Sequence, residues 1–308
     1  MARGKGRNRA NNKARVVKTA VVLMAYGSPT RLEDVPAYLE DIRGGRPSAP
    51  GTLQHLVERY RGIGGSPLNE ITERQRAALE RELGLPVFVG MKHWAPRISE
   101  AVEQALPTGA ERIVGLVLAP HYSKLSIGGY RSRLEEALAE RAQLLFVESW
   151  FDHDPFLDVV ADRLRGTSAH VVFTAHSLPE RVLEGDPYEE QVRESGRLIA
   201  ERARLVSWSV AFQSESQTGG KWLGPDILRE LEDLKSGGVE RVLVAPVGFV
   251  SDHLEILWDL DVEARRHADE LGIGFERMPS LNDDPAFISA LAALVRQVSG
   301  APTRIGAR

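Results

Sequence analysis

Short apolar runs alternate with amphipathic stretches along almost the whole chain. The runs are rich in valine, isoleucine and leucine, and they predict eight strands, at residues 20–24, 87–90, 113–118, 144–148, 171–174, 210–212, 242–245 and 274–277. The stretches between them have helical spacing with one apolar face, and include residues 70–83, 98–106, 131–141, 156–164, 188–203, 225–235 and 285–298. Because buried parallel sheets are built from such runs separated by helices, the pattern predicts an α/β protein.

The length of the chain favours two units of this kind. A chain of 308 residues is long for a single core, so eight strands suggest two Rossmann-like domains, each a four-stranded parallel sheet flanked by helices. We place the N-terminal domain at residues 19–166, the C-terminal domain at residues 167–280, and a final helix and tail at residues 281–308. Residues 1–18 carry seven Lys/Arg and no acidic side chain, which predicts a disordered basic tail.

Composition excludes several classes of function. A net charge of −4 gives no reason to expect a nucleic-acid partner. The absence of cysteine excludes disulfides, thiolate catalysis and a cysteine-ligated iron–sulfur cluster. No apolar run approaches the roughly 20 residues of a transmembrane helix, and no secretory signal is present, so we expect a cytoplasmic protein. Neither a G-x-G-x-x-G motif nor a P-loop follows the first strand, so no nucleotide cofactor is expected.

Three carboxylates in residues 248–264 are the most informative feature. Glu255, Asp259 and Glu263 have the spacing i, i+4 and i+8, which would align them on one face of a helix. Like charges at this spacing repel each other, whereas a divalent cation between them would attract all three. A solvated acidic face is the plainer alternative. However, Glu255 lies among apolar residues just after a predicted strand, which indicates partial burial where α/β proteins hold ligands.

Histidine side chains follow other predicted strands. His176 lies at the carboxyl end of the strand at residues 171–174, where a neutral imidazole could accept protons or bind a metal. A histidine satisfied by the loop itself is the alternative. Ser177 and Glu180 have the spacing of a capping box, so we predict that a helix begins there. His93 follows another strand.

Seven short motifs, in order along the chain, resemble those of the ferrochelatase family, and the resemblance extends from about residue 21 to residue 298. The motifs are Ile42-Arg-Gly-Gly-Arg46, Gly64-Gly-Ser-Pro-Leu68, Gly90-Met-Lys-His-Trp94, Ala119-Pro-His-Tyr-Ser123, Thr174-Ala-His-Ser-Leu-Pro179, Phe212-Gln-Ser214 with Trp222-Leu-Gly-Pro225, and Gly248-Phe-Val-Ser-Asp-His-Leu-Glu255. The resemblance implies two Rossmann-like domains around a porphyrin cleft and an enzyme of heme biosynthesis, a lyase that inserts Fe²⁺, its metal substrate, into a porphyrin.

The resemblance also implies roles for individual residues. His176 and Glu255 would form the catalytic metal-insertion site, with Asp259 and Glu263 as further metal-contacting residues along a route for the incoming ion. The positions that it implies for contact with the tetrapyrrole are Tyr26, Arg43, Arg59, Tyr60, Ser66, His93 and Tyr130, and His93 also matches a metal-associated position. Two departures from the family pattern are Ala25, where asparagine is usual, and Gly44, where a second arginine is common.

The identity of the substrate is left open by these residues. Tyr26 is similar to the tyrosine of the bacterial branch that uses coproporphyrin III, so we expect that substrate, with protoporphyrin IX as the alternative. A cobalt or nickel chelatase of the same fold is a further alternative, although such relatives tend to use two histidines. A non-catalytic tetrapyrrole carrier would need the arginines but not three carboxylates. We expect a monomer whose partner is the porphyrin, and transient hand-over to other heme-pathway enzymes remains open.

Overall fold

Two four-stranded parallel sheets form the framework of the protein. The computed structural model describes residues 17–215 and 220–300. The first sheet has the order β2-β1-β3-β4, and its strands are β1 (Thr19–Ala25), β2 (Val87–Met91), β3 (Arg112–Val117) and β4 (Gln143–Val147). The second has the order β6-β5-β7-β8, and its strands are β5 (His170–His176), β6 (Trp208–Gln213), β7 (Arg241–Ala245) and β8 (Gly274–Arg277). The predicted fold class and all eight predicted strands are confirmed.

Helices cover the faces of both sheets. The α-helices are α1 (Val35–Arg43), α2 (Thr52–Gly62), α3 (Leu68–Leu83), α4 (Ile98–Ala105), α5 (Ile127–Leu138), α6 (Asp154–Leu164), α7 (Tyr188–Ala203), α8 (Ile227–Ser236), α9 (Leu254–Leu257), α10 (Arg265–Leu271) and α11 (Pro285–Ser299). Short 3₁₀ turns occupy Leu32–Asp34, Leu106–Thr108 and Glu180–Val182. Among the described residues, no helix is long and apolar enough to cross a membrane. Most of the predicted basic tail and the residues after 300 lie outside the described residues.

The core explains why the strands read as continuous apolar runs. In β1, every residue from Ala20 to Ala25 is buried, because helices cover both faces of the sheet. The largest buried cluster contains side chains of both sheets, including Leu23 and Phe173, and α11 completes it by packing against α3 and α6. The C-terminal helix therefore returns to the side of the first sheet.

The strand order fixes where a ligand would bind. In each sheet, the second and third strands in sequence lie on opposite sides of the first strand. A crevice therefore opens between the carboxyl ends of β1 and β3, and another opens between those of β5 and β7. α1 and α2 pack against Leu254 and Trp258, which follow β7, through a small apolar cluster that includes Tyr38 and Tyr60. These contacts connect the first half of the chain to the loops of the second sheet.

The predicted helix start at Ser177 is wrong, and the segment with the three carboxylates departs from a regular α-helix. The Ser177 hydroxyl donates a hydrogen bond to the carbonyl of Leu223 at 2.7 Å, so it caps no helix, and α7 begins only at Tyr188. A contact between residues this far apart in sequence outweighs the local capping pattern. The segment from Leu254 to Leu271 is likewise not one regular helix, because a π-helix, Asp259–Ala264, separates α9 from α10.

The helix α5 also differs from its prediction, since it begins at Ile127 rather than at residue 131. Gly128 and Gly129 lie in its first turn. A Cβ atom on Gly129 would come within 3.0 Å of the Lys92 ammonium group, so the missing side chain makes room for that lysine.

Candidate active site

His176 and Glu255 meet at the crevice of the second sheet. His176 is the last residue of β5, and Glu255 lies in α9 after the loop that leaves β7. The Nε2 atom of His176 lies 3.5 Å from Glu255 Oε1, and about a third of each side chain is exposed. The structure thus brings together the two residues predicted to form the catalytic site, and the predicted partial burial of Glu255 is observed.

The loop that delivers Glu255 depends on a glycine. Gly248 donates its N–H to the carbonyl of Thr174 at 3.0 Å, and a Cβ atom at this position would come within 2.5 Å of the Ala175 side chain. Only glycine allows the loop to pass so close to β5. Buried Gln213 then fixes the far end, since its amide donates to the backbone carbonyl of Glu255 at 2.7 Å.

The hydrogen bonds of His176 define its tautomer. Its Nδ1 atom bonds to the backbone carbonyl of Ser177, which can only accept, so Nδ1 carries the proton in the neutral ring. Nε2 then faces a carboxylate with a lone pair. Burial lowers the pKa of His176, but the charge of Glu255 and the hydrogen bonds raise it by more, so the net shift is upward. Burial raises the pKa of Glu255, yet His176 and His253 hold that pKa well below its usual range.

His253 is a site residue that sequence reasoning missed. Its Nε2 atom lies 3.7 Å from the second oxygen of Glu255, and its ring packs against Phe249 with centroids 4.9 Å apart. Glu255 is therefore held between two imidazoles. The motif Ser251-Asp-His-Leu-Glu255 contained the signal, because a histidine two residues before the carboxylate in a loop can turn back towards it.

The other two carboxylates have partners of their own. Asp259 is nearly buried and pairs with the Arg59 guanidinium, and the Ser214 hydroxyl also donates to it. Glu263 accepts a hydrogen bond from the Trp258 indole at 2.8 Å. Within the part of the chain that the structure describes, no three His, Asp or Glu side chains converge as ready metal ligands. The predicted four-residue metal set therefore does not form one cluster here, and Arg59 faces Asp259.

The carboxyl end of the first sheet supplies the rest of the predicted residues. Tyr26 follows β1, remains 42% exposed, and packs its ring against His93 with centroids 4.8 Å apart.

Three further residues predicted to contact the tetrapyrrole are Tyr60, Ser66 and Tyr130. Tyr60 is buried, its hydroxyl lies 3.2 Å from that of Ser28, and burial raises its pKa to about 12. Ser66 accepts a hydrogen bond from the backbone of Leu68 at 3.4 Å. Tyr130 is also buried, and its ring receives the Lys92 ammonium group 4.9 Å from the centroid.

Arg43, Arg46, Lys92 and Arg133 all donate hydrogen bonds to backbone carbonyls, and Arg133 donates to the carbonyl of Lys92. Arg43 and Arg46 donate to each other's backbone carbonyls at 3.0 and 2.9 Å. Lys92 donates to the carbonyls of Leu125 and Ser126, both at 3.2 Å. Burial, and then repulsion from Arg133, lower the pKa of Lys92 to about 8. Within the described residues, none of these four cations pairs with a carboxylate. The sequence did not point to Lys92 and Arg133 as site residues, because only the fold brings them together.

Comparisons with known proteins show which family and which fold the chain resembles. The model of the ferrochelatase family matches residues 18–299. A ferrochelatase of Herpetosiphon aurantiacus is 42% identical over 299 residues, covering 90% of this chain and 98% of that protein. A coproporphyrin III ferrochelatase of Bacillus subtilis is 39% identical over 305 residues, covering 92% and 98%. The sirohydrochlorin chelatase SirB of Bacillus subtilis subspecies spizizenii, in complex with cobalt, shares the fold with a TM-score of 0.56 at 13% identity, covering 93% and 97%.

Proposed function

Because the chain belongs to the ferrochelatase family, whose members insert metal into porphyrins, we propose that it inserts Fe²⁺ into coproporphyrin III. The product would be iron coproporphyrin III, a step of heme biosynthesis. The observation that carries the catalytic part is the facing pair of His176 and Glu255 at the crevice between β5 and β7.

The pair suits the removal of protons from a porphyrin. Insertion requires that two pyrrole N–H protons leave the ring while the metal enters. The Nε2 lone pair of His176 would take the two protons one after the other and pass each to water, and the carboxylate of Glu255 3.5 Å away stabilises the imidazolium that forms each time. Because Nδ1 is already committed to the Ser177 carbonyl, the ring cannot turn to offer its other nitrogen. About a third of each side chain is exposed, and the porphyrin would lie against this exposed part.

The second and third carboxylates fit the delivery of the metal. We assign Asp259 and Glu263 to a route for Fe²⁺, since oxygen ligands suit a partly hydrated divalent ion. Arg59 occupies Asp259 in this structure, so a metal ion at that carboxylate would compete with the guanidinium. The Asp259→Asn variant should therefore raise the KM for Fe²⁺ more than it lowers kcat, as initial rates at varied Fe²⁺ would measure. An equal loss in kcat would place Asp259 in the insertion step instead.

The proposed choice of substrate is supported by the cations. Coproporphyrin III carries four propionates, whereas protoporphyrin IX carries two propionates and two apolar vinyl groups. Within the described residues, Arg43, Arg46, Lys92 and Arg133 have no carboxylate partner, so propionates would supply the missing anions. Tyr26 adds the resemblance to the coproporphyrin-using branch.

The catalytic assignment is tested by His176→Ala with a control on the same strand. Under anaerobic conditions, the wild-type protein should convert the four-band spectrum of the free porphyrin to the two-band spectrum of the metallated ring. His176→Ala should abolish this conversion while porphyrin affinity changes only a few-fold, because the base acts in the transition state. His170 lies at the opposite end of β5 and bonds to Ser207 and Ser209, so His170→Ala should retain activity. Substantial turnover by His176→Ala would remove that residue from the central role.

The substrate is tested by assaying both porphyrins side by side. We expect kcat/KM for coproporphyrin III to exceed that for protoporphyrin IX at least about tenfold, or roughly 1.4 kcal/mol, the size of one charge-assisted hydrogen bond. The Lys92→Met variant should reduce this ratio by lowering the coproporphyrin value. Equal values for the wild-type protein would refute the coproporphyrin assignment and leave the ferrochelatase family intact. A spectrum unchanged by Fe²⁺ with either porphyrin would favour a carrier.

A further inference from the structure

A second pair of imidazole and carboxylate lies at the carboxyl end of the first sheet. The Nδ1 atom of His93, after β2, lies 2.9 Å from the carboxylate of Asp41 on α1. Arg97, just before α4, binds the same carboxylate with two nitrogens, at 3.0 and 2.9 Å. No motif of the sequence pointed to Asp41, because its partners are more than 50 residues away.

The backbone fixes the His93 ring beside Tyr26. The N–H of His93 donates to the carbonyl of Tyr26 at 2.8 Å. Gly27 has a φ of +89°, and a Cβ atom there would lie 1.9 Å from the His93 carbonyl oxygen, so no other residue allows this approach. The imidazole has little freedom except rotation about its own side-chain bonds, and the Asp41 carboxylate removes that freedom.

The charges determine which nitrogen carries the proton. Burial raises the pKa of Asp41, but hydrogen bonds from Arg97 and His93 lower it by more, so the carboxylate is ionised and only accepts. In a neutral imidazole only one of the two nitrogens carries a proton, and the nitrogen that faces an acceptor must be that one. Nδ1 therefore carries the proton, and Nε2 keeps its lone pair. Among residues 17–215 and 220–300, Nε2 has no hydrogen-bond partner. It is not one of the fully buried atoms, so it is accessible to solvent.

We propose that Asp41, which is held by Arg97, is a positioning residue that keeps His93 in the Nδ1–H tautomer. The Nε2 atom of His93 is then an open hydrogen-bond acceptor for a porphyrin bound beside Tyr26. This rests on the proposed function. A free-base porphyrin carries two pyrrole N–H groups, and His176 offers one acceptor from the second sheet. The Nε2 atom of His93 offers a second hydrogen-bond acceptor from the first sheet.

The test replaces the carboxylate by an amide of the same shape. The amide group of Asp41→Asn can donate to Nδ1, which would move the imidazole proton to Nε2 and remove the open acceptor. We expect kcat to fall about tenfold while the KM for porphyrin changes less than twofold. In a His93→Ala background, Asp41→Asn should change kcat less than twofold further, because its effect acts through His93. A tenfold further loss in that background would overturn the proposal.

A direct reading of the tautomer separates this inference from the proposed function. In protein labelled with ¹⁵N-histidine, the resonances of His93 should report a protonated Nδ1 in the wild type and a protonated Nε2 in Asp41→Asn. Arg97→Gln keeps the carboxylate and should keep the wild-type tautomer. Asp34→Asn is the matched control, since Asp34 pairs with Arg31 but contacts no histidine, and it should alter neither tautomer nor kcat. A wild-type-like tautomer in Asp41→Asn would overturn the inference even if the enzyme turned over no porphyrin.

Discussion

His121 should make the stability of the protein depend on pH in a defined window. It follows β3, is 3% exposed, and its Nε2 atom lies 3.0 Å from the Ser195 hydroxyl on α7. That hydroxyl donates to the carbonyl of Phe151, so it accepts from His121, which therefore carries its proton on Nε2. Burial lowers the pKa of His121 from 6.5 to about 3. The imidazole thus stays neutral in the folded state while the unfolded chain takes up a proton.

The sign and the size follow from this difference. A histidine with a depressed pKa contributes its full stability above pH 6.5, and loses it progressively as pH falls towards 3. At pH 5 the unfolded ring is almost fully protonated and the folded ring is not, which corresponds to a loss of about 2 kcal/mol relative to pH 8. The loss would approach about 5 kcal/mol only near the folded pKa.

The assay is urea unfolding followed by circular dichroism at pH 8 and pH 5. His121→Gln does not titrate, and its amide can still donate to Ser195, so the variant should be less stable than the wild type at pH 8 through lost packing. The difference in free energy of unfolding between the two proteins should narrow by about 2 kcal/mol at pH 5, because only the wild type loses the histidine contribution. His55→Gln, at an exposed position on α2, serves as the control and should leave the acid dependence in place. An unchanged gap between wild type and His121→Gln would refute the reasoning.

Three further predictions concern the candidate active site. Glu255→Gln should impair insertion severely and also shift the acid limb of kcat/KM to lower pH, because the carboxylate raises the pKa of His176; a limb that stays in place would argue against His176 as the base. Glu263→Gln should chiefly raise the KM for Fe²⁺, and a matching fall in kcat would contradict its assignment to delivery. Gly62→Ala would place a methyl group 2.2 Å from the Trp258 ring, so it should lower stability by about 1–3 kcal/mol in thermal unfolding and disturb the indole bond to Glu263; full stability would show that the ring moves freely.

Most of the fold could be predicted because burial on both faces leaves a direct mark on a strand. The runs at β1 and β5 are apolar at successive positions. A sheet with one exposed face would instead alternate apolar and polar residues. Position at a strand end made His176 a candidate, and only its combination with the acidic segment that contains Glu255 singled it out. Prediction from the sequence failed where a partner distant in the chain decides the local structure. The Ser177 hydroxyl donates to the Leu223 carbonyl instead of capping a helix, and Asp259 pairs with Arg59, 200 residues away.

The two strand-end histidines show why position alone does not identify a base. His121 follows β3 and His176 ends β5, so each lies at the crevice of its sheet, and both motifs place the imidazole directly after an alanine-containing apolar run. His121 meets a hydroxyl and is sealed, so burial alone sets its pKa and keeps the ring neutral. His176 meets the Glu255 carboxylate and is partly exposed, so its pKa rises and its protonated form is stabilised. The chemistry of a strand-end histidine is therefore set by the element opposite it, here α9, which only the fold brings into contact.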